Sequence, residues 1–203
     1  MDITEIILEQ HAQQRAAFAQ LEEFPKKDVE GLEALWKRLV IFLETHAEAE
    51  ERYFYPHLLE KGTGAADADD GTVEGEVEDA IKDHNKIRDA IGRADEAKVG
   101  SDEWWQAVTD ADIANSEHMG EEERQDLRDF RDHASLQLRH DIAVEFLRYQ
   151  ATKAATGIEP VNKDAEEYVE DPEAELEEAE GKAEPAKKAS AKKASAKKAS
   201  PKK

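Results

Sequence analysis

Two side chains that are costly to bury occur together twice in this chain, as His46 with Glu50 and as His118 with Glu122. Residues four apart in an α-helix project from the same face. An imidazole and a carboxylate on a buried face lose hydration unless something neutralises them, and a bound cation does so. The spacing therefore predicts helices that carry metal ligands into a core. The first pair continues a helical stripe of apolar residues, namely Leu32, Leu35, Leu39 and Phe42.

A lone histidine precedes each pair at nearly the same distance. His11 lies 35 residues before His46, and His84 lies 34 residues before His118. The two copies are therefore offset by 73 residues at the lone histidines and by 72 at the pairs. This internal repeat predicts four helices that direct six side chains towards one centre. The six candidate ligands are His11, His46, Glu50, His84, His118 and Glu122.

The alternative interpretation is four core histidines with ordinary hydrogen bonds and two solvated glutamates. A single His-x-x-x-Glu would be weak support for a metal site, because the chain has seven histidines and many glutamates. Only two of the seven have a glutamate four residues later, and those two occupy equivalent positions of the repeat, which favours the metal site. The three histidines outside the repeat are expected at the surface or at helix ends: His57, His133 and His140.

Apolar residues recur every three or four positions as far as residue 152, which is typical of amphipathic helices. The expected fold is all-α, an up-down four-helix bundle with a fifth C-terminal helix, and such bundles can hold two metal ions in their cores. We expect residues 1–156 to form this unit and residues 157–203 to form a disordered tail. Pro56 is expected to kink or end the second helix. Helices are predicted over residues 2–22, 28–61, 72–93, from 101 onwards and over 135–152.

Composition excludes several classes of protein. The net charge of −21 predicts a strongly acidic surface, and the absence of cysteine excludes disulfides and thiolate ligands. No apolar run is long enough to span a membrane, and the N-terminus lacks the pattern of a secretory signal, so we expect a cytoplasmic protein. No phosphate-binding loop or nucleophile motif is present, so any catalysis would be the chemistry of the metal.

The C-terminal residues have a different composition. Residues 159–185 are rich in glutamate and include three prolines, which predicts disorder. Residues 182–203 contain three copies of Ala-Lys-Lys-Ala-Ser and carry nine lysines and one glutamate, a formal charge of +8, which leaves −29 on residues 1–181. This tail resembles those of linker histones and some bacterial nucleoid proteins, which implies non-specific nucleic-acid binding through Lys187–Lys203. The alternatives are that it folds back on the acidic body or only aids solubility.

The repeated ligands, and the sequence from Glu50-Glu51 to Pro56, resemble the hemerythrin HHE cation-binding domain over about residues 1–130. The resemblance implies a four-helix bundle around a non-haem di-iron centre with an oxo or hydroxo bridge. It also implies that Glu50 and Glu122 bridge the two irons. The histidines would hold the irons from their sides: His11, His46, His84 and His118.

The chain departs from the oxygen-carrying hemerythrins on its third and fourth helices. Those proteins pair a fifth histidine four residues from the one on the third helix, whereas here Arg88 follows His84 at that distance. Their carboxylate on the fourth helix is an aspartate five residues after its histidine, whereas Glu122 follows His118 by four. A missing ligand leaves either an open coordination position or room for another donor, which argues against simple oxygen carriage.

A tyrosine is the candidate for that additional donor. Tyr53 lies one helical turn beyond Glu50 on the same predicted face, and phenolate suits ferric iron. The alternative is a core tyrosine whose hydroxyl is hydrogen-bonded. Tyr55 is expected to point elsewhere.

The ligand types favour iron over manganese or zinc, because they combine imidazole and carboxylate without sulfur. The resemblance implies a protein that reacts with or senses dioxygen, hydrogen peroxide or nitric oxide in oxidative or nitrosative stress. Catalase-like peroxide removal is the enzymatic version, and a non-enzymatic iron- or oxygen-binding or storage module is the alternative. A tail bound to DNA would place the protein at the nucleoid. Apolar walls would restrict access to small molecules, and the residues expected to form them are Leu39, Phe42, Ile81 and Val108.

Overall fold

The computed structural model describes residues 1–64 and 71–178 of the 203-residue chain. Within these ranges the protein is all-helical, with no β-strand, as the sequence predicts. No helix in these ranges is long and apolar enough to cross a membrane. The helices are α1 (Ile3–Glu23), α2 (Val29–Tyr53), α3 (Tyr55–Lys61), α4 (Val73–Glu96), α5 (Asp102–Arg124), α6 (Asp126–His133), α7 (Leu136–Thr156) and α8 (Ala165–Glu170).

Polar side chains define where the long helices begin. Each accepts a hydrogen bond from a backbone N–H of the first turn, which otherwise has no partner within the helix. Asp2 caps α1 in this way, and Asp28 caps α2. The same role falls to Thr72 on α4, Ser101 on α5 and Ser135 on α7.

The second predicted helix is two helices, α2 and α3. A short helix that was not predicted, α6, follows α5. The chain bends at Phe54, between α2 and α3, and at Gln125, between α5 and α6. Pro56 lies in the first turn of α3, where its missing N–H costs nothing. Both bends come directly after the turn that carries a His-x-x-x-Glu pair, so they set which side chains follow the pair into the core.

Four helices form the body of the protein. Helix α1 contacts α2, α2 contacts α4, α4 contacts α5, and α5 contacts α1, so the contacts close a ring. Two apolar clusters fill its interior. One includes Ile3, Val77 and Phe130, and the other includes Trp36, Leu39 and Trp104. On α1 and α4 the lone histidine separates residues of the two clusters, and on α2 and α5 the His-x-x-x-Glu pair follows the second cluster, so a polar layer crosses the bundle between them.

The last two described segments lie on opposite sides of the bundle. Helix α7 packs on α1 and α2, and α8 packs on α4. We call residues 158–178 the C-terminal strap. The prediction of disorder from Gly157 onwards is wrong for this strap, because Tyr168 is fully buried and its hydroxyl donates to the backbone carbonyl of Glu51. Composition did not indicate this, because a few anchoring residues hold an otherwise polar segment. The Ala-Lys-Lys-Ala-Ser repeats and Lys187–Lys203 lie outside the described residues.

Candidate metal centre

Side chains from four helices converge in the polar layer. His11, His46 and Glu50 form one group, and Glu50, His84 and His118 form a second, with the donor atoms of each group within 4.8 Å of one another. Glu50 belongs to both groups. Its Oε1 lies 2.9 Å from Nε2 of His46, and its Oε2 lies 3.4 Å from Nε2 of His84. This is the arrangement expected of a carboxylate placed between two cations.

Glu122 lies against both groups as well. Its Oε2 is 3.1 Å from Nε2 of His11 and 3.9 Å from Nε2 of His118. The Nε2 atoms of His84 and His118 are 3.2 Å apart. All six sequence-predicted residues are therefore brought together, and each is at most 3% exposed.

The donor atoms have no other use within the described residues. Nε2 of His11 and of His46, and both carboxylate oxygens of Glu50 and of Glu122, are buried and lie close to one another as ion-pair contacts, but none of them forms a hydrogen bond to another described residue. Buried polar groups are nearly always satisfied, so an unsatisfied cluster of this kind fits the ligands of a bound cation. Four imidazoles and two carboxylates, without sulfur, fit a pair of divalent or trivalent first-row cations. The residues present therefore fit a dinuclear metal centre.

The electrostatics of the cluster lead to the same inference. Burial lowers the pKa of His11 and of His84, but neighbouring carboxylates outweigh it and raise each to about 9. Burial and the adjacent His84 lower the pKa of His118 well below its usual range. Burial opposes the charge on Glu50, but the histidines outweigh it and hold its pKa below the usual range, whereas burial and Glu50 raise the pKa of Glu122. Cations would replace the imidazole protons and compensate both carboxylates.

We call the two copies of the repeat the first half, with ligands His11, His46 and Glu50, and the second half, with ligands His84, His118 and Glu122. Hydrogen bonds to Nδ1 orient both histidines of the first half. Nδ1 of His46 lies 2.8 Å from the side-chain oxygen of Gln10, a neutral amide that also bonds to Gln150 of α7. Nδ1 of His11 lies 3.0 Å from Glu123, which also pairs with the exposed Arg15. A partner on Nδ1 fixes the tautomer that leaves Nε2 free to face the metal.

In the second half, a buried network of ion pairs contacts Nδ1 of His84. Nδ1 of His84 lies 2.8 Å from Glu51, which is fully buried and also pairs with Arg88 at 2.8 Å and with Lys163 at 2.5 Å. Arg88 stands where the oxygen-carrying hemerythrins would have a fifth histidine, and here it compensates Glu51 and Glu44. Lys163 belongs to the C-terminal strap and was not identified from the sequence. The only signal for it was a lysine in an otherwise acidic segment.

The tyrosine that reaches the cluster is not the one predicted. The ring of Tyr53 packs against Tyr149 of α7, with ring centroids 5.7 Å apart. Tyr55 is fully buried, its ring centroid lies 5.8 Å from that of His84, and its hydroxyl has no hydrogen-bond partner among the described residues. Burial and the carboxylates Glu122 and Glu50 raise the pKa of Tyr55 well above its usual range. The bend at Phe54 follows the last residue of α2 and places Tyr55, which the helical spacing did not select, against His84.

The other histidines lie away from the cluster, as predicted. The side chain of His57 is 39% exposed and lies beside Glu60. His133 ion-pairs with Asp129 at 2.7 Å, at the end of α6, and its side chain is 41% exposed. His140 is half-buried on α7 and belongs to neither ligand group.

We compared the chain with models of known protein families. The family model of the hemerythrin HHE cation-binding domain matches residues 2–130, well over half of the chain. The chain belongs to this family. No curated protein and no solved structure matches the chain. The hemerythrin match ends within α6, so α7 and the C-terminal strap, which supplies Lys163, lie beyond it.

Proposed function

We propose that this hemerythrin-family chain is an up-down four-helix bundle that holds two iron ions and removes or senses a small oxidant. Hydrogen peroxide is the preferred substrate, and dioxygen and nitric oxide are the other candidates. The observation that carries the proposal is the position of Glu50, whose two oxygens face histidines of different ligand groups. The proposed metal ligands are His11, His46, Glu50, His84, His118 and Glu122.

A bound di-iron pair would supply two-electron redox chemistry, and the protein would supply position and protons. Glu50 and Glu122 would hold the two cations together. Gln10, Glu123 and Glu51 would keep the imidazoles of His46, His11 and His84 in the tautomer that presents Nε2. Tyr55 replaces Tyr53 as the tyrosine of the site. Its hydroxyl, kept protonated by burial, can donate a hydrogen bond to a small oxidant beside the carboxylates.

The surroundings of the cluster favour a very small substrate. A cavity of about 10 Å³ touches the histidines between α2, α4 and α5, and a cavity of about 60 Å³ reaches His118 and Glu122. The larger cavity of about 540 Å³ lies between α1 and α2 and is lined by none of the six ligand candidates. Peroxide and diatomic gases fit the two small cavities beside the ligands, whereas an organic substrate does not.

Catalase-like turnover needs no external reductant. One hydrogen peroxide is reduced to two water molecules while a second is oxidised to dioxygen and gives up the two protons and two electrons that the first requires. The defining experiment combines metal analysis of the purified protein, an optical spectrum and the rate of dioxygen release from added peroxide. We expect two irons per chain and rapid gas release. Both should be lost in Glu50→Ala and kept in Glu117→Ala, which removes an exposed glutamate beside His118.

Other outcomes of the same experiment distinguish the alternatives. Reversible oxygenation with two irons but no peroxide turnover would indicate the non-enzymatic iron- or oxygen-binding module. Manganese or zinc at full occupancy in protein purified without added metal would contradict the preference for iron. Wild-type protein that binds no metal would contradict the proposed function as a whole.

A nucleic-acid partner stays a separate prediction for Lys187–Lys203. Truncation at Gly157 would not test this prediction alone, because it would also remove the buried Lys163 and Tyr168 from the bundle. Truncation after residue 178 leaves the strap in place and removes the lysine repeats. We expect this variant to lose salt-dependent DNA binding and to keep its metal. Unchanged DNA binding would contradict the prediction.

A further inference from the structure

A cavity between α4 and α5 connects the ligand cluster to the protein surface. Its volume is about 60 Å³, and His118 and Glu122 line one part of it. The rest of the wall is acidic, and none of its described residues is a lysine or arginine. We call this cavity the acidic passage. Its acidic residues beyond the ligands are Glu76, Asp79, Asp83, Glu121 and Asp126.

Carboxylates line the acidic passage from solvent to the ligands. The side chain of Asp79 is 52% exposed, that of Asp83 is 11% exposed, and Asp126 is only 2% exposed as a residue. At the inner end, both carboxylate oxygens of Glu122 are buried without a hydrogen-bond partner. The passage therefore ends on an unsatisfied ligand, and the cluster of acids is not merely a solvated surface.

Two lysines at the outer end do not close the acidic passage. Lys82 pairs with Asp79 at 3.3 Å and also with Glu78, and Lys86 pairs with Asp83 at 2.6 Å. Their side chains are 49% and 65% exposed, so these ion pairs are weak and the lysines can move into solvent. A divalent cation can replace either lysine at its carboxylate.

The internal repeat shows that this acidity is not a requirement of the fold. With the offsets of the ligands, the five acidic residues have largely apolar equivalents in the first half. Helix α7 covers that position, where Phe146 packs with its ring centroid 6.1 Å from that of His46. The second half has neither the apolar lining nor such a cover among the described residues. The equivalents are Ile3, Ile6, Gln10, Ala49 and Phe54.

We propose that the acidic passage is the route by which divalent metal ions reach the ligand cluster, an inference that rests on the proposed metal-binding function. A cleft lined by one sign of charge concentrates the opposite ion and speeds its association. Carboxylates spaced along the path can exchange an ion between them, and Glu122 receives it at the centre. A site built from buried ligands needs such a path, because each of the six ligands is at most 3% exposed.

The test is the rate at which metal-free full-length protein takes up Co²⁺, measured by rapid mixing and the absorption of the bound ion. The variant Asp79→Asn/Glu121→Gln removes two outer charges and no ligand. The control Glu22→Gln/Glu23→Gln removes the same charge from the end of α1, where both side chains are exposed. We expect the passage variant to bind Co²⁺ about threefold to tenfold more slowly than the control at low salt, with the difference shrinking at high salt. The final stoichiometry should equal that of the wild type.

A second variant narrows the acidic passage without changing its charge. Ala80→Ile introduces the residue found at the equivalent position, Ile7, and should slow uptake at every salt concentration. Uptake by both passage variants at the rate of the control would overturn the proposed route. A lower final stoichiometry in Asp79→Asn/Glu121→Gln would overturn it too, because these residues would then be ligands. Wild-type protein that takes up no Co²⁺ or Fe²⁺ at equilibrium would instead overturn the metal-binding function and the route with it.

Discussion

The two halves of the repeat offer the same donors to the centre and support each lone histidine through an equivalent glutamate, but they differ in burial, charge compensation and cover. In the first half, a neutral amide supports His46, and a partly exposed carboxylate supports His11. In the second half, the fully buried Glu51 supports His84 and is itself compensated by Arg88 and Lys163. The flank of the first half is covered by α7, whereas the equivalent flank of the second half is the acidic passage.

Under the proposed function, this difference reflects two demands on the site. The inward face would have to be matched in both halves, because two cations would share Glu50 and equivalent positions would supply equivalent ligands. The outward faces meet different surroundings, so one flank can be closed by α7 while the other provides access. The predictions below test whether the halves differ in this way.

Removing the residue that both halves share should have the largest effect. Glu50→Ala takes a ligand from each proposed metal position, so we expect the affinity for both ions to fall on the order of 100-fold or more, above the usual cost of losing an outer-shell partner. His46→Ala should affect the first position much more than the second. Metal analysis after dialysis against a weak chelator measures both. Retention of two irons by Glu50→Ala would show that the halves bind independently.

Opening the covered flank should destabilise the protein without creating a second metal route. Phe146 is fully buried, so Phe146→Ala should lower the free energy of unfolding by about 3 to 5 kcal/mol. Leu147→Ala, at a neighbouring residue that is 36% exposed, should cost about 1 kcal/mol or less. Urea denaturation of the metal-free protein measures the loss. Co²⁺ uptake should not become faster, because the opened space lacks carboxylates, and faster uptake would show that space alone limits access.

Breaking the ionic support of the second half should have a somewhat smaller effect on stability. Lys163→Met leaves Glu51 buried with Arg88 as its remaining cation, and we expect a loss of about 2 to 4 kcal/mol. The matched control is Lys37→Met, which removes a lysine that is 68% exposed and pairs with Glu33, and its expected cost is below about 1 kcal/mol. The strap should also become more susceptible to limited proteolysis in Lys163→Met. Equal stability of the two variants would mean that Lys163 does not support the centre.

The smallest effect is expected where support comes from a partly exposed residue. Glu51→Gln should weaken metal binding about 10- to 100-fold, as is usual when a carboxylate behind a histidine ligand is lost. Glu123→Gln should cost less than about 10-fold, because its side chain is 27% exposed and solvent already weakens its bond to His11. Competition with a chelator of known affinity compares the two. Equal losses would contradict the difference between the halves.

The sequence alone predicted the part of the site that depends on helical spacing. His46 with Glu50 and His118 with Glu122 lie on continuous helices, where residues four apart project together, and the repeat supplied His11 and His84. The helical fold class and the family followed from the same residues. Each of these inferences depends on regular local geometry, which a sequence pattern encodes directly.

Only the tertiary structure decided which outer residues meet the centre. The bend at Phe54 places Tyr55 against His84, a position that the helical period of α2 does not predict. Lys163 comes within 2.5 Å of Glu51 although 112 residues separate them, and its segment has the composition of a disordered tail. The acidic passage likewise depends on α7 packing against one half of the repeat and not the other. Contacts between distant segments arise from packing, and no local period in the sequence records them.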